Sequence, residues 1–265
     1  MKLDIKVVKD NMKNKFIPDI KYFDSVTSTN ELALNMEDRI VKEGLVIVAG
    51  EQTKGRGRLQ RNWHSPKNEG LWMSIILLPE QKNKDKYALL TLIGALSVQK
   101  AIKDLDINST LKWPNDILYE NKKLCGVLSQ FKSVGGSIGR VVVGIGLNVN
   151  QDKFNDEIKD SSISLKMIKN EKINKEKLLV KILDNFSNYY NMFKNEKFNI
   201  ITERWKKEMG MLHQNIIVNS LDKEKYKGKV IDITENGELK VQLDSGENKT
   251  FIAGDVSIDK NSLKL

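Results

Sequence analysis

The sequence predicts an α+β protein in which a larger unit of helices and strands is followed by a small β barrel. The chain has 265 residues, enough for one sizeable domain and a small one. Between residues 45 and 148, strand-like apolar runs flank one long run with helical spacing. After residue 214 the pattern changes to short, evenly spaced strands that fill about 50 residues, as expected for a small barrel.

Composition restricts the class of protein. Hydrophobic residues make up 40% of the chain and the net charge is +9, with the lysines spread along the chain rather than grouped in one block. No apolar run approaches the roughly 18 residues of a membrane span, and residues 1–6 lack the apolar core of a signal peptide. One cysteine, Cys125, permits no internal disulfide. We therefore expect a cytoplasmic protein with no membrane partner.

The elements of the first half follow from their apolar spacing. Residues 1–24 are predicted as a short mixed segment with an extended passage at Pro18. A helix is predicted to start at residues 28–30, because serine, threonine and asparagine all cap helices and apolar residues follow. A longer helix is expected at 87–105. The predicted strands are 45–49, 71–78, 110–113, 117–119, 124–131 and 140–148.

The second half begins with a polar stretch, 151–170, that is predicted to be irregular. Amphipathic spacing then predicts helices at 175–193 and 198–208. Two turns, at Asn236-Gly237 and Ser245-Gly246, separate short strands in the remainder. The strands predicted there are 216–218, 228–233, 239–243 and 250–253.

A basic, glycine-containing loop follows the first of the predicted strands. Residues 54–61 contain Arg56, Arg58 and Arg61 together with two glycines. Guanidinium groups pair with phosphate or carboxylate through two parallel hydrogen bonds, and glycines let the backbone turn tightly. The loop is suited to closing over a small anion, although the same composition occurs in nucleic-acid-binding loops.

Five segments in one order resemble the biotin–protein ligases. The first is Ser28-Thr29-Asn30, and the second is the stretch 51–63, which includes the arginine loop. The others are Lys-Trp-Pro-Asn-Asp at 112–116, Lys-Leu-Cys-Gly-Val-Leu at 123–128 and Gly-Ile-Gly-Leu-Asn-Val at 144–149. Each segment alone is weak, but the ordered set is specific, and the resemblance covers about residues 22–265.

The resemblance implies a two-step reaction. Biotin and ATP form biotinyl-5′-AMP and pyrophosphate, and a lysine of a biotin carboxyl carrier domain then takes the biotin. It also implies a mixed-sheet catalytic domain of the biotin/lipoate-ligase type at 1–212 and an SH3-like domain at 213–265. Lipoate–protein ligases are the nearest alternative, and they generally lack the segment found at 112–116. A basic nucleic-acid-binding protein is the alternative from a different class.

The resemblance also implies which residues act on the two anions. Arg56, Arg58 and Lys123 match the family's catalytic cations, which would neutralise the biotin carboxylate and the α-phosphate. An edge-strand charge is the alternative role for Lys123. We expect the loop to order when the adenylate forms, because its arginines repel one another in the absence of ligand.

The residues that match biotin-binding positions combine hydroxyls and amides, which suit the neutral ureido ring. Helix capping alone is the alternative for the hydroxyls, and Trp72 is equally suited to the hydrophobic core. The full set is Ser28, Thr29, Asn30, Gln52, Gly55, Arg56, Trp72, Lys123 and Gly126.

The residues that match nucleotide-binding positions are mainly basic or amide side chains. Asp116 is the candidate ligand for Mg²⁺, although Asn115 and Asp116 also suit a purely structural turn at the proline. The aromatic residue that often covers adenine in the family is absent from 161–165. The full set is Arg56, Arg58, Arg61, Lys112, Asn115, Asp116 and Asn148.

Partners are expected by the same resemblance. Some relatives carry a DNA-binding domain at the amino end, and only 27 residues precede Ser28 here, so we expect no sequence-specific DNA binding. A homodimer is possible, since the family includes dimers that form through the central sheet. The expected protein partner is the biotin carboxyl carrier domain of a biotin-dependent carboxylase.

Overall fold

The larger of two sheets has seven strands and is mixed. A computed structural model describes residues 2–134, 137–220 and 224–258. The first two strands run parallel, and every other neighbouring pair is antiparallel. The strands lie in the order β1-β2-β3-β7-β6-β5-β4. They are β1 (Ile20–Phe23), β2 (Val46–Ala49), β3 (Gly70–Leu77), β4 (Thr110–Lys112), β5 (Asp116–Tyr119), β6 (Lys122–Val134) and β7 (Ser137–Asn148).

Helices cover both faces of this sheet. The long helix α3 packs on β6 and β7, and α5 and α6 cover its outer side. Because successive strand residues point to opposite faces, Val143 of β7 faces α3, whereas Gly144 faces α2. The helices are α1 (Ile5–Asn11), α2 (Thr29–Asn35), α3 (Ala88–Lys103), α4 (Leu165–Lys169), α5 (Lys175–Lys194) and α6 (Phe198–Glu208). None of the helices within the described ranges is long and apolar enough to span a membrane.

A buried arginine fixes the carboxyl end of α2. Arg140 of β7 is 2% exposed, and its guanidinium donates to the carbonyls of Ala33, Leu34 and Met36 at 2.6 to 3.1 Å. It also forms an ion pair with Asp38 at 2.5 Å. The last carbonyls of a helix have no partner within the helix, and a cation is favoured at that end. Arg140 therefore orients the helix whose other end lies at the site described below.

The second sheet is antiparallel and has five strands in the order β11-β10-β9-β8-β12. Trp113 connects the two sheets, because its buried indole N–H donates to the carbonyl of Gly237 at 2.9 Å. The predicted fold class, a mixed-sheet α+β unit with a small β unit at the carboxyl end, is confirmed, while the boundary at 212/213 stays a prediction. The strands are β8 (Asn215–Asn219), β9 (Lys225–Ile233), β10 (Leu239–Leu243), β11 (Asn248–Phe251) and β12 (Asp255–Ile258).

Four short elements differ from the sequence prediction, and β1 is one of them, because residues 20–23 were not predicted as a strand. Helix α1 lies in the segment 1–24, which was predicted only as a short mixed segment, and it is capped by Asp4, which accepts hydrogen bonds from the N–H groups of Lys6 and Val7. Helix α4 has five residues in the stretch predicted to be irregular, and β12 was not predicted. Each element has only four to seven residues, and so short a segment depends on tertiary contacts more than on its own periodicity.

Candidate active site

A cavity of about 410 Å³ opens on the α2 side of the large sheet. Its walls come from the start of α2, the loop 56–64, the glycine-containing parts of β6 and β7, the segment 158–162 and Asp255 of the second sheet. The cavity therefore gathers residues from all five sequence motifs, together with a residue of β12. Most of the predicted site residues line this cavity.

An indole ring packed on two strand glycines forms one wall. A Cβ atom built on Gly146 would lie 2.3 Å from Nε1 of Trp63, and one built on Gly126 would lie 3.1 Å from the same ring. Lys123 Nζ lies 5.2 Å from the Trp63 ring centroid, which is within cation–π range. The sequence prediction did not assign Trp63 to the site. Glycine inside a strand often marks close approach by another group, so Gly126 and Gly146 were the available signal.

The amino end of α2 forms a polar corner of the cavity. Ser28 caps the helix and accepts from the N–H of Glu31 at 3.4 Å. The N–H of Thr29 donates to Gln52 Oε1 at 2.8 Å, and Gln52 Nε2 donates to Ser65 Oγ at 2.9 Å. Because Gln52 is held at both its oxygen and its nitrogen, the corner presents hydroxyl and amide groups in fixed positions.

Asn30 is held by the sheet rather than left free to turn. Its amide nitrogen donates to the carbonyl of Leu128 and to Gln130 Oε1, at 3.1 and 2.8 Å. Its oxygen accepts from Ser74 Oγ at 2.6 Å. A Cβ atom on Gly144 would lie 2.2 Å from that oxygen, so the glycine makes room for the amide. Ser74, which is fully buried, was not identified from the sequence.

Lys123 and Asp116 form an ion pair inside the cavity. The two strands β5 and β6 are neighbours, and Lys123 Nζ lies 2.8 Å from Asp116 Oδ1. The side chain of Asp116 is 16% exposed and that of Lys123 is 34% exposed. A half-buried ammonium whose one carboxylate partner also lines the cavity is available to a second anion that enters there.

The arginine loop lies across the cavity and contacts the second sheet. Nη1 of Arg58 donates to Asn115 Oδ1 at 3.3 Å and to the carbonyl of Gly254 at 3.1 Å. Burial lowers the pKa of the Arg58 guanidinium, and the carboxylates of Asp255 and Asp116 oppose that shift. Arg61 forms an ion pair with Asp255. Because a guanidinium does not lose its proton in proteins, Arg58 remains a cation.

Two amides of the predicted nucleotide set are engaged by the protein backbone. Asn115 Nδ2 donates to the carbonyl of Val127 at 2.9 Å. Asn148 Nδ2 donates to the carbonyls of Lys123 and Ile163, at 3.3 and 3.1 Å. Both residues line the cavity, and both also fix the backbone around it. Arg56 and Lys112 line the cavity as well.

Comparison with known proteins identifies the family. The Biotin/lipoate A/B protein ligase family model matches residues 22–148, and the Biotin protein ligase C terminal domain model matches residues 212–259. The bifunctional ligase/repressor BirA of Bacillus spizizenii is 35% identical over 235 residues, which cover 88% of this chain and 72% of that protein. The chain belongs to the biotin protein ligase family.

A solved structure extends the similarity to the whole fold. The biotin protein ligase of Aquifex aeolicus, in complex with biotin and ATP, is 31% identical with a TM-score of 0.79, and the match covers 91% of this chain and 98% of that one. A biotin protein ligase of Leishmania major has a TM-score of 0.60 at 20% identity, which supports the fold alone.

Two residues that were predicted to bind biotin in this biotin protein ligase do not line the cavity. Trp72 is fully buried, its indole N–H donates to the carbonyl of Pro66 at 3.2 Å, and its ring packs on Gly70. Trp72 is therefore a core residue, and Trp63 is the tryptophan of the cavity wall. Gly55 is buried behind Gln52, where a Cβ atom would lie 2.4 Å from the carbonyl oxygen of Trp63. It shapes the loop rather than the cavity surface.

Metal-binding groups are sparse in this biotin protein ligase. Across the described ranges, no three histidine, cysteine, aspartate or glutamate side chains are grouped so that they could hold a metal ion. Magnesium usually keeps several waters and binds through one or two carboxylates together with substrate phosphates. Asp116 fits that pattern as a single carboxylate beside Lys123, and a metal site made by the protein alone does not.

Proposed function

We propose that the protein is a biotin–[acetyl-CoA-carboxylase] ligase, which activates biotin with ATP and transfers it to a lysine of a biotin carboxyl carrier domain. One observation carries the proposal: Arg56, Arg58, Lys112 and Lys123 line the same cavity as a neutral corner of hydroxyls and amides. A molecule with a polar uncharged head and a carboxylate tail matches that pairing. The same cations also match the phosphates of a nucleotide whose α-phosphate reacts with that carboxylate.

Relatives support the choice of substrates. The Aquifex aeolicus structure contains biotin and ATP. A relative from Mycobacterium tuberculosis named biotin–[acetyl-CoA-carboxylase] ligase is 32% identical over 113 residues. Lipoate attachment is less well supported, because several matched relatives and the Aquifex aeolicus structure are named for biotin.

The cavity binds biotin between its polar corner and its lysine. The ureido ring hydrogen-bonds with Ser28, Thr29 and Gln52, because these groups offer both donors and acceptors. The apolar part of the bicyclic ring packs on Trp63, and the valeryl chain leads the carboxylate to Lys123. The separation of a neutral end from a cationic end fixes the direction in which the substrate lies.

The first chemical step joins two anions. A carboxylate oxygen of biotin attacks the α-phosphorus of ATP, the bond to the bridging oxygen breaks, and pyrophosphate leaves. The mutual repulsion of the anions opposes this approach, and Arg56, Arg58 and Lys123 offset it with positive charge in a partly desolvated site. Asp116 is the carboxylate that would hold Mg²⁺ beside the nucleotide, and the ion would supply further positive charge there.

The second step releases AMP. The uncharged amine of the carrier lysine attacks the carbonyl carbon of the adenylate, the C–O bond to the phosphate breaks, and the amine loses a proton as the amide forms. Arg58 and Lys123 remain beside the phosphate that leaves, where they stabilise its charge. The partner is therefore a folded carrier domain that presents one lysine at the cavity mouth.

The remaining predicted residues of the site bind the nucleotide or support the biotin side. Arg61, Lys112, Asn115 and Asn148 form the nucleotide side of the cavity, and the aliphatic side chains of Leu118 and Ile158, which line it, cover the adenine in place of an aromatic ring. Asn30 supports the biotin side through its contacts with the sheet. Residues 1–212 form the catalytic domain and 213–265 the accessory domain of a cytoplasmic enzyme.

Biotin-dependent ATP–pyrophosphate exchange tests the proposal. The wild type should exchange label with biotin and not with lipoate. Lys123→Ala and Arg58→Ala should each lower kcat/KM by about 100-fold or more, as for loss of a donor to a developing anion. Lys122→Ala is the matched control, because its side chain does not line the cavity, and it should stay close to wild type. Absence of exchange with biotin, or equal rates for the two lysine variants, would contradict the proposal.

A further inference from the structure

The carboxylate of Asp255, in the second sheet, contacts both Arg58 and Arg61. These two arginines lie at the ends of a turn within the arginine loop, residues 54–61. Asp255 is the first residue of β12, and it lines the cavity. Its Oδ2 pairs with Arg61, and its Oδ1 lies 4.0 Å from Arg58 Nη1. The side chain of Asp255 is 26% exposed and that of Arg58 is 20% exposed. The contact is therefore partly desolvated, unlike a pair on the open surface.

The contacts of Arg58 with neighbouring protein all use one nitrogen. Asn115 Oδ1, the carbonyl of Gly254 and Asp255 Oδ1 all lie against Nη1. Within the described part of the chain, Nε and Nη2 make no such contact, so one edge of the guanidinium is left for a bidentate pair with a phosphate. Gly254, directly before β12, and Asp255, its first residue, thus supply two of the three acceptors that fix the orientation of this arginine.

The loop between the two arginines has little else to hold it. Leu59 and Gln60 adopt left-handed backbone conformations, with φ of 52° and 61°, which are unfavourable for residues with a Cβ. Leu59 is 53% exposed, so apolar burial offsets little of that cost. The N–H of Gly57 donates to the carbonyl of Arg61 at 2.7 Å and closes the turn. The N–H of Arg61 also donates to the carbonyl of Arg58 at 3.1 Å, and an isolated β-bridge pairs Arg56 with Asn62. The contacts that tie this turn to the rest of the protein are those of the Arg58 and Arg61 side chains.

The charges that line the cavity also indicate that Asp255 stabilises the arginine loop. Among the residues that the structure describes, five cationic side chains line the cavity, and only Asp116 and Asp255 oppose them there. Asp116 is paired with Lys123, which leaves Asp255 as the carboxylate that offsets the repulsion among the loop arginines. The five cations are Arg56, Arg58, Arg61, Lys112 and Lys123.

We propose that Asp255 is a positioning residue through which the second sheet holds the arginine loop closed over the cavity and presents the open edge of Arg58 to the nucleotide. The inference rests on the proposed function for its effect on catalysis, and on the geometry alone for its effect on the loop. It gives the second sheet a role in binding ATP and retaining the adenylate. The biotin corner, which is built from α2 and the large sheet, does not depend on it.

Limited trypsin digestion of the ligand-free protein tests the structural part without any activity. In Asp255→Asn, cleavage after Arg58 and Arg61 should be about tenfold faster than in wild type, a ratio within the usual range of coupling between sites. Asp244→Asn is the matched control, because Asp244 is an exposed turn acid of the same sheet and its loss should leave the rate unchanged. Arg61→Gln removes the same pair from the loop side and should speed cleavage after Arg58. Equal rates in all four proteins would overturn the inference.

Exchange kinetics test the functional part. Asp255→Asn should raise the KM for ATP about tenfold, while the KM for biotin and the thermal midpoint stay near wild type, and Asp255→Glu should restore part of the loss. A lower KM for ATP in Asp255→Asn would overturn the inference, since it would mean that the carboxylate competes with phosphate. If the wild type shows no biotin-dependent exchange, the proposed function fails, and the digestion experiment still decides the role of Asp255.

Discussion

Replacing Gly146 with alanine should weaken the use of biotin, because the added methyl group would displace the indole ring of Trp63. The added Cβ would lie 2.3 Å from Nε1 and 2.6 Å from Cε2 of Trp63, whereas ordinary contact begins at 3.4 Å. The indole is a rigid ring, so it must retreat by about 1 Å or tilt away from β7. The backbone of β7 has little freedom to move instead, because it is paired on both sides by β3 and β6.

The size of the effect follows from that displacement. A shift of about 1 Å in a group that positions substrate can cost about 100-fold in rate. We therefore expect kcat/KM for biotin to fall by about 100-fold in Gly146→Ala, which corresponds to about 2.7 kcal/mol of transition-state stabilisation. Alanine is intrinsically preferred to glycine within a strand by about 0.5 kcal/mol or more, so a general loss of folding is not the expected cause.

A double-mutant cycle separates the steric explanation from others. Biotin-dependent pyrophosphate exchange is measured for the wild type, Gly146→Ala, Trp63→Ala and the double variant. If the clash with the indole is the cause, Gly146→Ala should cost no more than about threefold once Trp63 has been truncated. A full 100-fold loss from Gly146→Ala in the Trp63→Ala background would refute the reasoning, because the ring would then not be the group that is displaced.

Three further predictions follow from buried groups. Trp72→Phe should lower the free energy of unfolding in urea by about 1 kcal/mol through loss of its hydrogen bond, with an unchanged KM for biotin. A changed KM for biotin would contradict the assignment of Trp72 to the core. Arg140→Met should cost about 3 kcal/mol in the same titration, because the last carbonyls of α2 lose their donor. A loss below about 0.5 kcal/mol would contradict this role. Burial raises the pKa of the Cys125 thiol, so Ellman's reagent should react with it only after unfolding in guanidinium chloride, and rapid reaction of the native protein would contradict the structure.

Much of the fold could be predicted because its main elements are locally marked. Helix α3 and strands β2 and β3 were predicted within three residues of their observed ends, since long apolar runs retain their periodicity in any context. The start of α2 was predicted with a cap at Ser28, Thr29 or Asn30, because a polar side chain before an apolar run satisfies the first free N–H groups of a helix. In the structure Ser28 is the residue that caps it. By contrast, α1, α4 and β12 have too few residues for periodicity to identify them.

The cavity residues also divide into those that sequence motifs identify and those that only their packing identifies. The motifs identified Arg56, Arg58 and Lys123, all of which line it, because basic residues at family spacing are visible in the chain itself. The two tryptophans were not distinguishable in that way. Trp63 and Trp72 both lie near the arginine loop in sequence, and only the packing on Gly146 in one case and on Gly70 in the other separates wall from core.

By itself the sequence determined the family, the order of the elements and the cations that the chemistry needs, since each is written in contiguous residues. Tertiary structure alone decided that Trp63 forms the wall, that Arg140 holds the far end of α2 and that Asp255 reaches the arginine loop from 194 residues away. Such pairings depend on which faces of distant elements meet. That choice is made by the packing of the whole core and leaves no local pattern in the chain.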